Sequence, residues 1–370
     1  MSKASLDGKA IALDDAFKQA ASILSGAKFP LVAGLGADVP GARAAILLAE
    51  RLRGAFDHLA SRDSLVDLDV KRSFGMFTTT ANEARVRADV VILVGPGLTK
   101  QWPGMLERLA LDQAPRHGTH AGQPRKVIWI GPDASEAGAV PGAKVVPASL
   151  QEIPGVLAVW RARVGGRRVN PEKIDAAKLE LVDGVADTLR NAKFGCFVWA
   201  SAIGLDALTV EMMQALVTDL NVTTRFTGLH IGGRSGASGV TQVAGWMTGF
   251  PPRTGFGRGY PEHDPWRFEA SRLVDSGEAD AALWISAFDG EAPSWSRSDI
   301  PLITLAPAGA APSRGLYIEV GQPGVTHDAV LMAQETGGLT LRAATAPSDA
   351  PTVAQVIDAI MANVSEVAPC

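Results

Sequence analysis

The sequence predicts an α/β fold of two interleaved doubly wound (Rossmann-like) domains with mostly parallel sheets. Three observations predict it. Apolar runs of strand length alternate with segments of helical period. Several of these runs end in glycine just before the next helix. The chain has 370 residues, 46% hydrophobic and 20% charged, enough for two or three domains with sizeable cores.

The elements follow in order. Leu13, Phe17, Ala20 and Leu24 share a helical face that stops at Gly26. Phe29–Gly36 is a buried strand ending in glycines, Ala42 to Leu52 a helix, and Gly54 to His58 the lead into the next strand. Asn82 to Arg87 is a short helix and Asp89 to Val94 a strand buried on both faces. Pro103 to Leu111 reads as helix, Lys126 to Ile130 as strand and Leu150 to Arg163 as helix, before Gly165-Gly166-Arg167-Arg168, the best linker. A helix from Pro171 to about Asn191 follows, then a strand at Cys196 to Trp199, a helix at Leu208 to Leu220 and a short strand at Val222 to Phe226. Residues 241–266, TQVAGWMTGFPPRTGFGRGYPEHDPW, hold five glycines and four prolines and read as one long loop. Beyond it lie a helix near Phe268 to Ser276, strands at Ala281 to Ile285, Pro301 to Leu305 and Leu316 to Val320, and a last amphipathic helix at Val353 to Val364.

Formal net charge is −4, so no general basic surface points to nucleic acid or an anionic membrane. The amino terminus carries charges and no apolar core of a signal peptide, and no window approaches the ~18 apolar residues of a membrane span. Only Cys196 and Cys370 are present, too few for a four-cysteine cluster, and this usage fits a cytoplasmic protein.

The chemistry-bearing motifs are sparse. Gly34-Leu35-Gly36-Ala37-Asp38-Val39-Pro40-Gly41 is either a phosphate cradle, with Asp57 placed to hold a ribose, or a tight turn. Its GxGxxxxG spacing and the Asp38 carboxylate favour the turn. Gly95-Pro96-Gly97 stands at the carboxyl end of a buried strand, where ligands bind in such folds, but Pro96 removes a donor, so turn geometry is again favoured. His117 and His120 form an i, i+3 pair in a glycine-interrupted loop, read as surface. Glu262-His263-Asp264 could supply acid, base and orienting groups, yet adjacent residues of an extended loop point apart. No GxSxG, HExxH, GxxxxGKS or CxxC occurs.

The run GRSGASGVTQVAGWMTGFP, followed by GFGRGYPEHDP, resembles the B subunit of formylmethanofuran dehydrogenases, members of the molybdopterin oxidoreductase superfamily. Trp246, Thr248, Gly249, Pro251, Arg258, Gly259, Tyr260 and Pro261 carry the match, and FPLVAGLGADVPGARAAILLAERL, ARVRADVVILVGPG and GEADAALWISAFDG extend it over nearly the whole chain. The resemblance implies a molybdopterin-oxidoreductase-like core. Family enzymes also carry a cysteine-held [4Fe–4S] cluster and a sulfur ligand to a tungsten or molybdenum pterin.

The departures bear on function. No cysteine precedes Cys196, so the iron–sulfur domain reads as lacking; Asp63 or a neighbour stands where the metal-binding cysteine should be. The family's glycine-asparagine-proline turn is Gly95-Pro96-Gly97, and its carboxy-terminal pterin-side segment is Thr326-His327-Asp328-Ala329-Val330-Leu331. This combination is similar to the branch found in formyltransferase/hydrolase complexes of aerobic methylotrophic bacteria. There the resemblance implies a non-catalytic scaffold without metal or cofactor, partnered by the A, C and D subunits and most directly by C and A. The complex would pass a formyl group from tetrahydromethanopterin to a methanofuran-type carrier and release formate. The alternative is a catalytic dehydrogenase component that retains a pterin. His230, Arg234 and Arg258 are the polar groups expected around a vestigial pocket, with loop hydrogen bonding as their other role. Trp246 and Tyr260 are expected to pack, and Trp246, Phe250 and Phe256 to be covered by a partner or by that pocket. The expected domains are 1–60 with 170–345, joined because the strand at 196–199 returns to the sheet begun at 29–35, then 61–168, and a spacer and helix at 346–370.

Overall fold

Continuous apolar runs can be buried only between two layers of helices, and that requirement sets the architecture. A computed structural model describes residues 3–170 and 176–364, with the backbone alone for 176–179; Cys370 lies outside the described residues. The chain divides into two units. The first comprises the described parts of 1–62, 234–332 and 339–370, and the second those of 63–233 and 333–338.

The first unit opens with β1 (Ala4–Leu6), β2 (Lys9–Ala10), α1 (Leu13–Gly26), β3 (Pro30–Gly36), α2 (Val39–Arg51) and β4 (Ala55–Phe56). After the second unit it resumes with α10 (Ala237–Thr248), β10 (Thr254–Gly255), β11 (Glu262–His263), α11 (Ala270–Asp275) and β12 (Ala281–Ser286). It continues through β13 (Leu302–Ala306), β14 (Leu316–Glu319) and α12 (Val353–Met361). The nine-stranded sheet runs β11-β10-β4-β3-β12-β13-β14-β1-β2, parallel from β4 to β14 and antiparallel at both margins. Successive strand residues alternate between faces. Val32, Leu283 and Ile303 join the core under α1, α2, α10 and α12, whereas Leu31, Ala33 and Trp284 pack with Leu273 and Val274 of α11. Strands β15 (Ala329–Ala333) and β16 (Gly338–Arg342) pair only with each other.

The second unit takes α3 (Ser61–Ser73) from its third residue, then α4 (Ala81–Arg87), β5 (Val90–Val94), α5 (Leu98–Gln101), α6 (Met105–Leu109), β6 (Lys126–Ile130) and β7 (Lys144–Val146). It is completed by α7 (Ile153–Val164), α8 (Ala176–Asn191), β8 (Gly195–Trp199), α9 (Ala207–Leu220) and β9 (Phe226–His230). Its sheet is wholly parallel, in the order β7-β6-β5-β8-β9. Three buried tryptophans satisfy their indole N–H groups internally: Trp129 on Gly95 O (2.9 Å), Trp160 on Val182 O (3.0 Å) and Trp199 on Asp67 Oδ1 (2.8 Å).

Four expectations change. The strand at 196–199 pairs with β5 and β9 instead of the sheet begun at 29–35, because its apolar run fits either buried sheet. Residues 170–233 therefore belong with the segment from 63, and the last helix belongs to the first unit. Gly165 to Arg168 is not a domain linker: Gly165 caps α7, and Arg167 N–H bonds Ala162 O at 2.7 Å. The segment 241–266 is not all loop, since 241–248 completes α10, with Ala237, Val240, Val243 and Ala244 buried on one face. That helix stops at Gly249, whose φ of +79° suits glycine.

Candidate functional site

Open α/β sheets offer ligands a crevice at the carboxyl ends of their strands, where strand order reverses. In the first unit β3 is that point, with β4 on one side and β12 on the other. Gly34 has φ +78°, and a Cβ there would stand 2.5 Å from Ile285 O, so β3 can leave β12 this way only with glycine. The β3–β12 register shifts between Trp284 and Ser286. Beside this break lies a cavity of about 250 Å3, bordered by Asp57, His58, Arg62, Arg234, Arg253 and Trp284 among others.

Asp57 follows β4 and is 3% exposed. Its Oδ2 accepts the Ala270 N–H at 2.9 Å and lies 3.6 Å from Arg253 Nε. Arg253 also reaches Glu269 (3.2 Å) and the Pro265 carbonyl. Asp57 Oδ1 and Arg253 Nε have no hydrogen-bond partner. Burial pushes the Asp57 carboxyl up to about 6, overriding the pull of Arg253.

His58 is held at three points. Its N–H donates to Ser61 Oγ (3.1 Å), its Nδ1 accepts the Ala60 N–H (2.9 Å), and its Nε2 meets Ser235 O (3.1 Å). Because Nδ1 is an acceptor, the proton sits on Nε2 and is donated to that carbonyl. Burial pushes the imidazole down to about 4, so the ring is neutral at physiological pH with both nitrogens engaged. Arg234 pairs with Glu291, whose carbonyl accepts the Trp284 indole N–H at 2.6 Å, and Trp284 meets Trp295 edge-on at 5.3 Å. Around the cavity Asp57 pairs with Arg253 and Arg234 with Glu291, both imidazole nitrogens are engaged, and Arg62 also borders the space. Among the lining residues no serine hydroxyl bonds the His58 imidazole, and Ser271 and Ser294 bond each other at 3.2 Å.

The matching point of the second unit lies between β5 and β8. There the turn after β5 carries its own anion. Glu136, 2% exposed, accepts Gly97 N–H (2.7 Å), Thr99 N–H (3.0 Å) and Thr99 Oγ–H (2.7 Å). A Cβ on Gly95 would stand 2.3 Å from Ile203 Cδ1, so an aliphatic side chain fills the rest of the turn. The donors a phosphate would need are taken by a carboxylate of the same chain.

The residues picked from sequence scatter. Arg234 reaches the first-unit cavity. His230 belongs to the second unit, with Nε2 3.0 Å from Asp67 Oδ2 and its ring tilted against Trp199. Ser201 Oγ donates to the same carboxylate at 2.6 Å. Arg258 is exposed and pairs with Glu262 at 3.4 Å, away from the cavity lining. Asp63 lies in the first turn of α3. Asp57 is spent on Arg253 and Ala270, not free for a ribose, and Asp38 caps α2 by accepting the Gly41 N–H at 3.1 Å, closing the phosphate cradle considered there. His120, read as a surface residue, has its Nδ1 against the buried Asp89 carboxylate. His263 Nδ1 faces Arg253 O while Asp264 caps the turn at 266–267, so the Glu262-His263-Asp264 trio does not converge. Trp246 and Tyr260 do not pack within the chain, being 63% and 53% exposed, whereas Phe256 is core. Sequence reasoning missed His58, Arg253 and Glu136: Arg253 and Glu136 find their partners across long stretches of chain, and His58 is held by Ser61 and Ala60 beside it but closed off by the distant Ser235 carbonyl. Among the described residues no group of three or more His, Cys, Asp or Glu is arranged to hold a metal ion. Cys196 is buried in β8 with its thiol pushed up to about 12 by burial.

No protein-family model matches the chain. The B subunit of the formyltransferase/hydrolase complex Fhc of Methylorubrum extorquens is 31% identical over 364 residues, covering 97% of this chain and 96% of that protein. The B subunit of tungsten-containing formylmethanofuran dehydrogenase 2 is 25% identical in Methanococcus maripaludis and 26% in Methanocaldococcus jannaschii, each over 77% of this chain and 66% of the relative. A chain in the crystal structure of the formyltransferase/hydrolase complex (FhcABCD) from M. extorquens with methylofuran superposes with a TM-score of 0.87 at 31% identity, covering 98% of both chains.

Proposed function

The chain belongs to the family of B subunits of the formyltransferase/hydrolase complex, related to those of formylmethanofuran dehydrogenase, and we propose from that premise that it is the B subunit of such a complex. In that assembly it is a structural component, cytoplasmic, held by the A, C and D subunits. Formyl transfer to a methanofuran-type carrier and hydrolysis to formate fall to those other subunits. No helix among the described residues is long and apolar enough to cross a membrane.

The observation that carries this reading is the state of the ligand sites inherited from a metal-pterin fold. Those residues do not fit the group. By the family resemblance, Asp63 or a neighbour in the first turn of α3 falls where a soft thiolate is required, none of these residues is a cysteine, and Cys196 is a neutral thiol sealed in a strand. The Gly95–Gly97 donors bond Glu136. No step of a redox reaction is derived through such a cofactor.

A retained α/β core without a catalytic set has value as surface. Trp246, Trp266 and Tyr260 are exposed on the first unit, with Phe250 partly so, and they are residue types that anchor interfaces. This surface meets another chain of the complex. Arg234, by its pairing with Glu291, holds a loop and does not contact carrier. The test is co-expression of this chain with the A, C and D subunits. The reading expects a stoichiometric complex whose yield falls when Trp246 and Trp266 are both changed to serine. A well-behaved monomer with no affinity for the other subunits would overturn it.

A further inference from the structure

The opposite end of the second unit's sheet, at the amino ends of the strands, holds a cavity that the scaffold role does not use. Because β5, β8 and β9 are parallel neighbours, the residues that precede them gather on one rim. Arg87 precedes β5, Lys193 precedes β8 and Arg225 precedes β9, and all three line a cavity of about 350 Å3. Gly118, Thr119 and His120 close another side.

The charges do not cancel. Asp89, 6% exposed, is the one carboxylate among the lining residues, and it is already occupied. It accepts Lys193 N–H at 3.0 Å and Phe194 N–H at 2.9 Å, and lies against His120 Nδ1. Arg87 shares Glu83 (3.1 Å) and lies over the Phe194 ring at 5.1 Å. Lys193 Nζ and the Arg225 guanidinium have no ion-pair partner among the described residues, although the protein as a whole carries net −4. Arg87, Lys193 and Arg225 are exposed on the rim of this concave site, where an anion would meet three cations and one already occupied carboxylate.

We propose that this cavity binds a phosphate group, free or carried on a small metabolite. Two guanidinium forks and an ammonium, from the end of α4 and the segments that lead into β8 and β9, match a tetrahedral dianion better than a planar carboxylate. The volume falls within the range of small-molecule sites, which start at about 300 Å3. The exposed Thr119 hydroxyl supplies a further donor at the mouth.

The test is isothermal titration of the full chain, at constant ionic strength, with inorganic phosphate, with glycerol phosphate and with succinate. One saturable phosphate site per chain is expected. Lys193→Gln combined with Arg225→Gln should weaken it by about tenfold or more, consistent with losing two charge-assisted bonds. Lys71→Gln, an exposed change on α3, should leave it unaltered. Thr119→Glu places a carboxylate at the mouth and should abolish binding independently of the double variant. Tighter binding of glycerol phosphate assigns the site to a phosphomonoester, and preference for inorganic phosphate assigns it to the free ion. Absence of saturable binding, equal binding of succinate, or unchanged affinity in the Thr119 or double variant overturns the proposal.

Discussion

Replacing Asp57 by asparagine isolates a cancellation built into the first-unit cavity. Asp57 and His58 are adjacent and buried, and burial moves them in opposite directions, to about 6 and about 4 from ordinary values of 3.8 and 6.5. For the carboxyl, the fold holds a proton that the unfolded chain has lost between pH 3.8 and about 6, so its contribution is fully present below 3.8 and is lost as pH rises through about 6. For the imidazole, the unfolded chain takes up a proton between 6.5 and about 4 that the fold refuses, so its contribution is present above 6.5 and lost as pH falls. At about 1.4 kcal/mol per pH unit, each change totals roughly 3 kcal/mol. In the native protein the two slopes oppose one another over about two pH units and nearly cancel. Asp57→Asn keeps an acceptor for the Ala270 N–H and removes the carboxyl's titration together with its attraction to Arg253. Urea unfolding of the variant and the native chain should then diverge as pH falls. Between pH 6.5 and 4.5 the variant should lose about 2 kcal/mol relative to the native chain. A difference that stays constant over this range would show that Asp57 titrates in the fold as it does unfolded, and would refute the reasoning.

Three further outcomes follow from the same geometry. Glu136→Ala leaves Gly97 N–H, Thr99 N–H and the Thr99 hydroxyl without an acceptor in a closed turn, at a cost of about 2–4 kcal/mol in urea unfolding, with Glu136→Gln milder. Gly34→Ala meets both a positive φ and the Ile285 carbonyl at 2.5 Å, so thermal unfolding should show a loss of about 2 kcal/mol or more. Arg234→Glu breaks a loop contact only, so co-purification of the other subunits and the Michaelis constant for the formyl carrier should both stay at native values.

Much of the fold was legible because strands buried on both faces are written as unbroken apolar runs. Val90 to Val94 and Ala281 to Ile285 needed no tertiary knowledge. What such runs cannot encode is which sheet they join. Gly195–Trp199 is as apolar as any strand of either sheet, and its partners are fixed only by the packing of α7, α8 and α9 around Phe197 and Trp199. Helix α10 was obscured differently. Its period spans Ala237 to Ala244, but the glycines and prolines after Gly249 dominate any window that begins at 241. Helix α3, SRDSLVDLDVKRS, carries too many charges to show a clear apolar face. The candidate sites were less legible than the fold. Asp57 finds Arg253 and Gly97 finds Glu136 across long stretches of chain, and no spacing rule links such pairs. Arg234 was found through the glycine-rich run it sits in, while Arg258 in the same resemblance turned out to be surface.

The central proposal is that this chain keeps the fold of its metal-pterin relatives as a scaffold without the donors that would hold a metal-pterin. Elemental analysis of the complex purified through a tag on this chain tests that claim most directly. The A, C and D subunits should appear in stoichiometric amounts, with tungsten and molybdenum at background relative to this chain. One tungsten or molybdenum per chain, retained through gel filtration, would contradict it.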